Sequence, residues 1–423
     1  MMDIITSLGL GPIIVVFACC AAVLQIVTGK IKFDRLFDKV FFVGCVFVSI
    51  SGFFLVRDVD FVERGQSMLG TAMLGMMAFA SFSFFREEGD CLKTLKLLVI
   101  SGIPVCLYAF YQWIFGISAW EERYILTGLS KVLYSFYVLD GIDQMRPFST
   151  MNTHTSLGAI GGTLFLVCFL ILPKARMLFH VRRAKWFFYA VVGLLYLGTC
   201  LIAQNRTSYI LPPLGLALSL MFLRGNRIML FYAFLFMTAT VVVVKSEWIY
   251  NNINVWSQSF EATAIGEKFG TLGTYQARLS SFMLLTEADN WTPFGLDPKV
   301  RPFTHDLITQ SLVTVGYIPL GVCLALLGGV IAWWHSSCLK VKDASSRKLL
   351  VYLTAIIVAL GVSGLAYGNL LFVAPVNSVL GLLLGLGMVE IRKSKVSSQV
   401  PVGEMDSSSE RQSAGAPGEQ VSA

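Results

Sequence analysis

Charge-poor apolar runs close to twenty residues long recur along almost the whole chain, and this recurrence limits the fold more than any other feature. A run of that length, coiled as a helix, crosses a hydrocarbon layer about 30 Å thick. Inside that layer the backbone amides must bond within their own helix, so helices are the economical solution. Eleven such runs stand at about 9–28, 40–56, 68–85, 97–116, 153–173, 186–203, 208–223, 228–245, 311–334, 349–367 and 373–390. Only 14% of the 423 residues are charged, against about 25% in soluble domains. The expected fold class is therefore an all-α polytopic integral membrane protein with about 11 (10–12) transmembrane helices.

The basic residues orient it. Two thirds of the 33 Lys and Arg residues fall in short loops that alternate along the chain, around Lys30–Lys39, Arg86–Lys96, Lys174–Lys185, Arg224–Arg227, Lys340–Lys348 and the C-terminal tail. Cytoplasmic loops carry such an excess, which predicts the N-terminus outside and the C-terminus inside. The net charge of +7 is thus topological and is no nucleic-acid footprint.

Two external loops are too long for turns, at about 117–152 and 246–310. The first carries Trp120 and an amphipathic stretch from Tyr124 to Leu139. The second carries Trp248, Tyr250, Trp256 and Trp291, with an amphipathic helix expected from Tyr275 to Leu285. Aromatic residues of this kind favour the headgroup zone, so both loops are expected to cap the bundle on the outer leaflet. Residues 1–393 then form the transmembrane bundle with its loops. Residues 394–423, rich in Ser, Gly and Glu, form a disordered cytoplasmic tail.

Several chemistries find no residues. The nine cysteines lack metal-ligand spacing and read as small packing residues. Seven lie in or beside apolar runs, with Cys91 and Cys338 expected in basic loops. A nucleophile elbow, a nucleotide-binding glycine loop and a His/Cys metal cluster are missing from the sequence. Asp58 and Asp60 form an Asp-x-Asp pair in a short external loop, which reads as solvated. The acidic start, Met1 to Ser7, and the lack of an Ala-x-Ala site argue against a cleaved signal peptide.

Three positions carry the chemical interest. Arg206 lies in Ala203-Gln-Asn-Arg-Thr-Ser-Tyr209, squeezed between two apolar runs, where a charge is costly. The bland reading is a turn arginine reaching for headgroups. The functional one is an anion site, with Asn205, Thr207 and Ser208 as further donors and a guanidinium that grips phosphate bidentately. Arg278 lies on the expected helix of the second long loop. His305 follows where that loop meets the next run, beside Asp306, and an imidazole there can take a proton from a hydroxyl. His154 opens the fifth run as a helix cap or a second site member.

Together these pieces resemble the O-antigen ligase and polymerase superfamily of bacterial envelope glycan assembly. The resemblance rests on Gln204-Asn-Arg-Thr-Ser208, on Gln276-Ala-Arg-Leu279 followed by Pro293-Phe-Gly295, and on Thr304-His-Asp-Leu-Ile308 leading to Val315-Gly-Tyr-Ile-Pro319. A fourth piece is Arg146-Pro-Phe-Ser-Thr-Met-Asn-Thr153. It covers about residues 146–330. Asp306 departs from the usual Asn, and Asp297 from a frequent Gly.

The resemblance implies a C-type, multi-helix glycosyltransferase with a long external loop over the bundle between the eighth and ninth spans. It implies inverting transfer from an undecaprenyl-diphosphate-linked glycan to a sugar hydroxyl at the periplasmic face of the inner membrane, without metal, nucleotide or other cofactor. His305, Arg278 and Arg206 become the catalytic candidates. Asn205, Asp306, Arg301, Arg146, Asn152 and His154 become the substrate-binding ones. The acceptor is lipid A core in a ligase, or a second lipid-linked repeat in an O-antigen or exopolysaccharide polymerase, for which Lys299, Arg301 and Arg146 are spare cations. A transporter or flippase is the reading from another class, although the spans carry almost no charge and no internal repeat is visible.

Overall fold

The computed structural model describes residues 10–28, 36–55, 61–85, 89–119, 121, 136–139, 142–145, 147–151, 153–172, 183–203, 205–223, 283–297, 300, 302, 307–366 and 375–397. Within these, the chain is mostly helical. In order come α1 (Leu10–Val27), α2 (Leu36–Leu55), α3 (Phe61–Phe84) and α4 (Asp90–Phe115), then α5 (His154–Leu166), which continues as a π-helical turn Val167–Ile171. α6 (Arg183–Ile202), α7 (Arg206–Leu223), α8 (Leu307–Val315), α9 (Tyr317–Leu339), α10 (Ala344–Ala366) and α11 (Val376–Ser397) follow. A two-stranded hairpin, β1 (Phe136–Leu139) with β2 (Ile142–Met145), pairs antiparallel with Leu139 opposite Ile142. The amphipathic stretch expected from Tyr124 to Leu139 thus ends in a strand. The run at 228–245 lies outside the described residues, and the other ten runs fall on helices.

Three of these helices are long and apolar enough to cross a membrane over their described residues: Asp90–Phe115, His154–Ile171 and Ala344–Gly364. Shorter apolar stretches occupy α1, α3, α6 and α7. This helical architecture is compatible with a membrane protein.

Small residues decide how the helices meet. In an apolar solvent, packing rather than hydrophobicity drives association, so backbones approach where side chains vanish. α11 carries Gly381-Leu-Leu-Leu-Gly385. The backbone of α3 lies so close to it that a Cβ at Gly381 would strike the Leu74 carbonyl, and one at Gly385 would stand 2.5 Å from the Ala78 carbonyl. Above that contact, Asn377 Nδ2 donates to the Gly70 carbonyl at 2.8 Å. Residue numbers rise together, so α3 and α11 run parallel. α2 runs against α3: Thr71 Oγ1 donates to the Ser49 carbonyl at 3.2 Å, and Phe82 packs on Phe41 with centroids 4.8 Å apart.

The second group is α5, α6 and α7. Gly158 faces Ser208, Gly162 faces Leu211, and Gly215 faces Leu166, which makes α5 and α7 parallel. Gly161 lies against Tyr196 and Cys200 of α6, and Gly193 against Cys168, so α6 runs opposite to both. The Tyr196 hydroxyl, fully buried, donates to the Val99 carbonyl of α4.

One end of the bundle is closed by a buried ion pair. Arg392 forms an ion pair with Asp38 at 3.1 Å and lies 5.4 Å above the Phe82 ring. Asp38 is completely buried. Phe82, Trp334, Cys338, Val341, Leu350, Met388, Val389 and Ile391 form an apolar cluster at the same end. This lower end therefore holds the ends of α3, α9 and α11 and the start of α10. α4 begins a few residues after α3 and climbs to the opposite, upper end.

Three expectations need correction here. Cys91 and Cys338 are not in loops. Both are buried on helices, α4 and α9, because those helices extend past their apolar runs and bury their flanks. The single span expected at 311–334 is divided at Gly316, whose φ of +90° no helix accommodates. α11 also extends to Ser397, beyond the expected start of the tail at 394.

Candidate functional site

The upper end gathers the end of α4, the 147–151 turn, the starts of α5, α7 and α11, and the end of α6. A polar network ties the first of these together. Gln112, on the last turn of α4, donates through Nε2 to Glu121 Oε1 at 2.9 Å. Its Oε1 accepts the amides of Phe148 at 3.2 Å and Ser149 at 2.6 Å. Ser149 stands at φ 56° and donates its hydroxyl to the Val105 carbonyl at 2.6 Å. The other Glu121 oxygen accepts the Ser118 amide at 2.8 Å and the Ser118 hydroxyl at 2.7 Å. Burial raises the Glu121 pKa, but hydrogen bonds from Ser118, Tyr108 and Gln112 outweigh it and hold the carboxyl below its usual range. Glu121 stays ionised at neutral pH and anchors the turn that feeds α5.

That turn delivers the chain to α5 through Thr153, whose side chain accepts the Ser156 amide at 3.1 Å. Thr153 is therefore the cap, and His154, offered by the sequence as a cap, is instead the first helical residue. Thr153 extends its backbone before the helix as N-cap residues do.

α7 starts from a short connection stitched to the end of α6. Cys200 Sγ donates to the Ser208 carbonyl at 2.9 Å, and the Tyr209 hydroxyl to the Leu201 carbonyl at 3.1 Å. Asn205 is buried just before α7, and its carbonyl receives the amides of Ser208 at 3.0 Å and Tyr209 at 3.2 Å. Arg206 is the first residue of α7. Because α5 and α7 are parallel and in contact at Gly158 and Ser208, their positive dipole ends open side by side. His154, Asn205 and Arg206 thus share the upper end.

The third piece is the turn Thr292–Leu296, which binds the break between α8 and α9 from both sides. Leu296 N donates to the Val313 carbonyl at 2.8 Å, a group the break leaves open. Tyr317 N and Ile318 N, the first amides of α9, donate to the carbonyls of Thr292 at 3.0 Å and Pro293 at 3.4 Å. Gly295 and Gly316 both have φ of +90°, and each backbone fills the space where the other's neighbourhood would need a Cβ. With its first amides occupied, the start of α9 is closed to an anion.

Arg146, Asn152, Arg278, Arg301, His305 and Asp306 lie outside the described residues, as do Lys299, Asp58 and Asp60. α8, which begins two residues after His305, packs on α9, α10 and α2. Among the described residues no cluster of His, Cys, Asp and Glu has the arrangement of a metal site. Sequence reading missed Gln112, Glu121, Ser149 and Thr155, all buried polar residues of this end, whereas Ser208 stood among the expected donors beside Arg206. A polar residue inside or beside an apolar run was the available signal.

No family model, curated protein or solved structure matches the chain.

Proposed function

We propose that the protein is a metal-independent, inverting glycosyltransferase of the inner membrane. It takes a glycan from an undecaprenyl-diphosphate carrier at the periplasmic face and passes it to a sugar hydroxyl, as an O-antigen ligase does. The observation that carries the reading is the opening of α5 and α7 side by side with Arg206 at the mouth of α7. Two helix N-termini and a permanent cation suit an anionic group that arrives along the bundle wall.

In this scheme the upper end faces the periplasm, and the chain crosses the membrane eleven times. The acceptor oxygen forms a bond to the anomeric carbon while the bond from that carbon to the diphosphate oxygen breaks, which inverts the centre. Arg206 and Arg278 stabilise the charge that builds on the departing diphosphate. His305 takes the hydroxyl proton, with Asp306 orienting the ring. Asn205, Arg301, Arg146, Asn152 and His154 hold donor and acceptor.

The test is a reconstituted reaction of purified protein in nanodiscs, with undecaprenyl-diphosphate glycan as donor. Lipid A core and a second lipid-linked repeat are offered in parallel. Product on lipid A core supports the ligase, and product on the repeat assigns a polymerase instead. Absence of transfer to either acceptor sinks the reading, as does strong inhibition by a chelator.

A further inference from the structure

The seam between α5 and α7 has an unfinished polar end. Gly158 faces Ser208, and below it Gly162 faces Leu211 and Gly215 faces Leu166. Thr155 precedes Gly158 by three residues and so lies on the same side of α5, one turn nearer the upper end. The seam therefore finishes in two hydroxyls, Thr155 Oγ1 and Ser208 Oγ. These residues are 1% and 2% exposed, and neither hydroxyl has a hydrogen-bond partner among the described residues.

A buried hydroxyl with nothing to bond costs about 1–3 kcal/mol, and one helix seam holds two of them. Two other buried hydroxyls of the same helix group are satisfied within their own helices. Thr163 Oγ1, two turns down α5, donates to the Ala159 carbonyl at 2.8 Å, and Thr199 Oγ1 to the Leu195 carbonyl at 2.9 Å. Thr155 and Ser208 have no such back-bond, and they stand in the first turns of two parallel helices whose dipoles favour negative charge.

From this we infer that the top of the α5–α7 seam is a binding site for a lipid-borne phosphate, in which the hydroxyls of Thr155 and Ser208 donate to phosphate oxygen between the two helix N-termini. The inference deepens the proposed function and rests on it for the identity of the carrier. The hydroxyls are positioning residues, for they fix the anion's depth along the seam. A diphosphate carrier and an ordinary anionic phospholipid present the same chemistry to them.

The experiment uses the full chain in phosphatidylcholine nanodiscs, titrated separately with undecaprenyl diphosphate and with phosphatidylglycerol, bound lipid being counted by native mass spectrometry. Thr155→Val and Ser208→Ala remove a hydroxyl without adding bulk. Each is expected to weaken binding about tenfold, the loss of one hydrogen bond to a charged group. Thr155→Ser should restore it. Preference of the wild type for one lipid identifies the source of the phosphate. Wild-type binding of both lipids by both variants overturns the inference. So does Thr155→Ser binding as weakly as Thr155→Val, which would assign the loss to the methyl group. Failure of the parent reading looks different: weakened binding in the variants with no glycan transfer by the wild type leaves the phosphate site standing. Unaltered transfer, with unchanged KM for the donor, in both variants removes the site and leaves the transferase.

Discussion

Gln112 and Glu121 are joined by a 2.9 Å hydrogen bond at the upper end of the bundle, and Gln112 is engaged in both directions. Its amide nitrogen serves the carboxylate while its oxygen serves two backbone amides of the turn before α5. The relationship couples the end of one helix to the start of the next across a loop of nearly forty residues. It makes the position of α5, and through Gly158 that of α7, depend on one carboxylate.

Acid should therefore loosen this end. Hydrogen bonds keep the folded pKa of Glu121 below the ordinary carboxylate range despite its burial. A depressed pKa contributes stability that is complete above the unfolded value, and it is withdrawn as pH falls through the folded one. Thermal unfolding of the detergent-purified protein, followed from pH 7 downward, should show a drop in Tm over the acidic carboxylate range. Glu121→Gln should start lower at pH 7 and lack that part of the drop. Parallel curves for the two proteins would assign the pH dependence to other groups.

Gln112→Ala should be worse than Glu121→Gln. It strands the amides of Phe148 and Ser149 in a buried site and leaves the carboxylate one donor short. Each stranded buried group costs about 1–3 kcal/mol. Hydrogen exchange should locate the damage at 147–153 and the first turn of α5. Uniform loss of protection across the bundle would count against a local anchor.

The sequence made the helices legible and most of their partners illegible, for one physical reason. In a membrane the lipid-facing and the protein-facing sides are both apolar, so apolar runs announce spans without announcing faces. Exposed Phe47 and Phe115 are as greasy as buried Phe82. Glycine was the better clue, since Gly381 and Gly385 mark a backbone contact that the run alone conceals. Arg206 was legible as a charge between two apolar runs. Ser208 was legible beside Arg206, but Thr155 acquires meaning only when α5 and α7 are known to be parallel and adjacent, a long-range fact. The Gly316 break was partly visible as a glycine before a renewed apolar run, but its partner turn at Thr292–Leu296 was not.

The ion pair at the lower end should behave as a coupled unit. Asp38 is completely buried and pairs with Arg392, N to O, at 3.1 Å. Removing one partner of a buried pair leaves a charge without its counterion and typically costs about 3–5 kcal/mol. Arg392→Met should therefore lower stability severely, and the double variant Asp38→Asn with Arg392→Met should recover much of the loss. A double-mutant cycle on urea or thermal unfolding reads the coupling directly. Additive losses would show that the two charges act separately.

Gly295 and Gly316 should tolerate no side chain. Both stand at φ +90°, where an L-residue is strained by about 1–2 kcal/mol, and a Cβ at either would meet backbone atoms of the facing segment. Alanine at either position should part the Thr292–Leu296 turn from the α8–α9 break. The expected signature is protease or exchange sensitivity at 292–318 together with lost glycan transfer. Full transfer by Gly316→Ala would mean that the catalytic geometry does not depend on this lock.

Glycines on α11 and α9 supply an internal control for the packing argument. At Gly381 and Gly385 an added methyl meets the backbone of α3, a neighbour that cannot rotate away. At Gly321 and Gly329 of α9 nothing among the described residues stands within 4 Å of the added carbon. Overpacking a close helix contact costs about 1–3 kcal/mol, whereas glycine to alanine in an open helical position gains up to about 1 kcal/mol in helix propensity. The double variant Gly381→Ala with Gly385→Ala should thus unfold at a lower temperature than the parent. Gly321→Ala with Gly329→Ala should match or exceed the parent, although all four changes are chemically identical. Equal effects at the two pairs would mean that α3 and α11 are not in the close parallel contact described, and with it would fall the argument that their starts, like those of α5 and α7, belong to one end of the bundle.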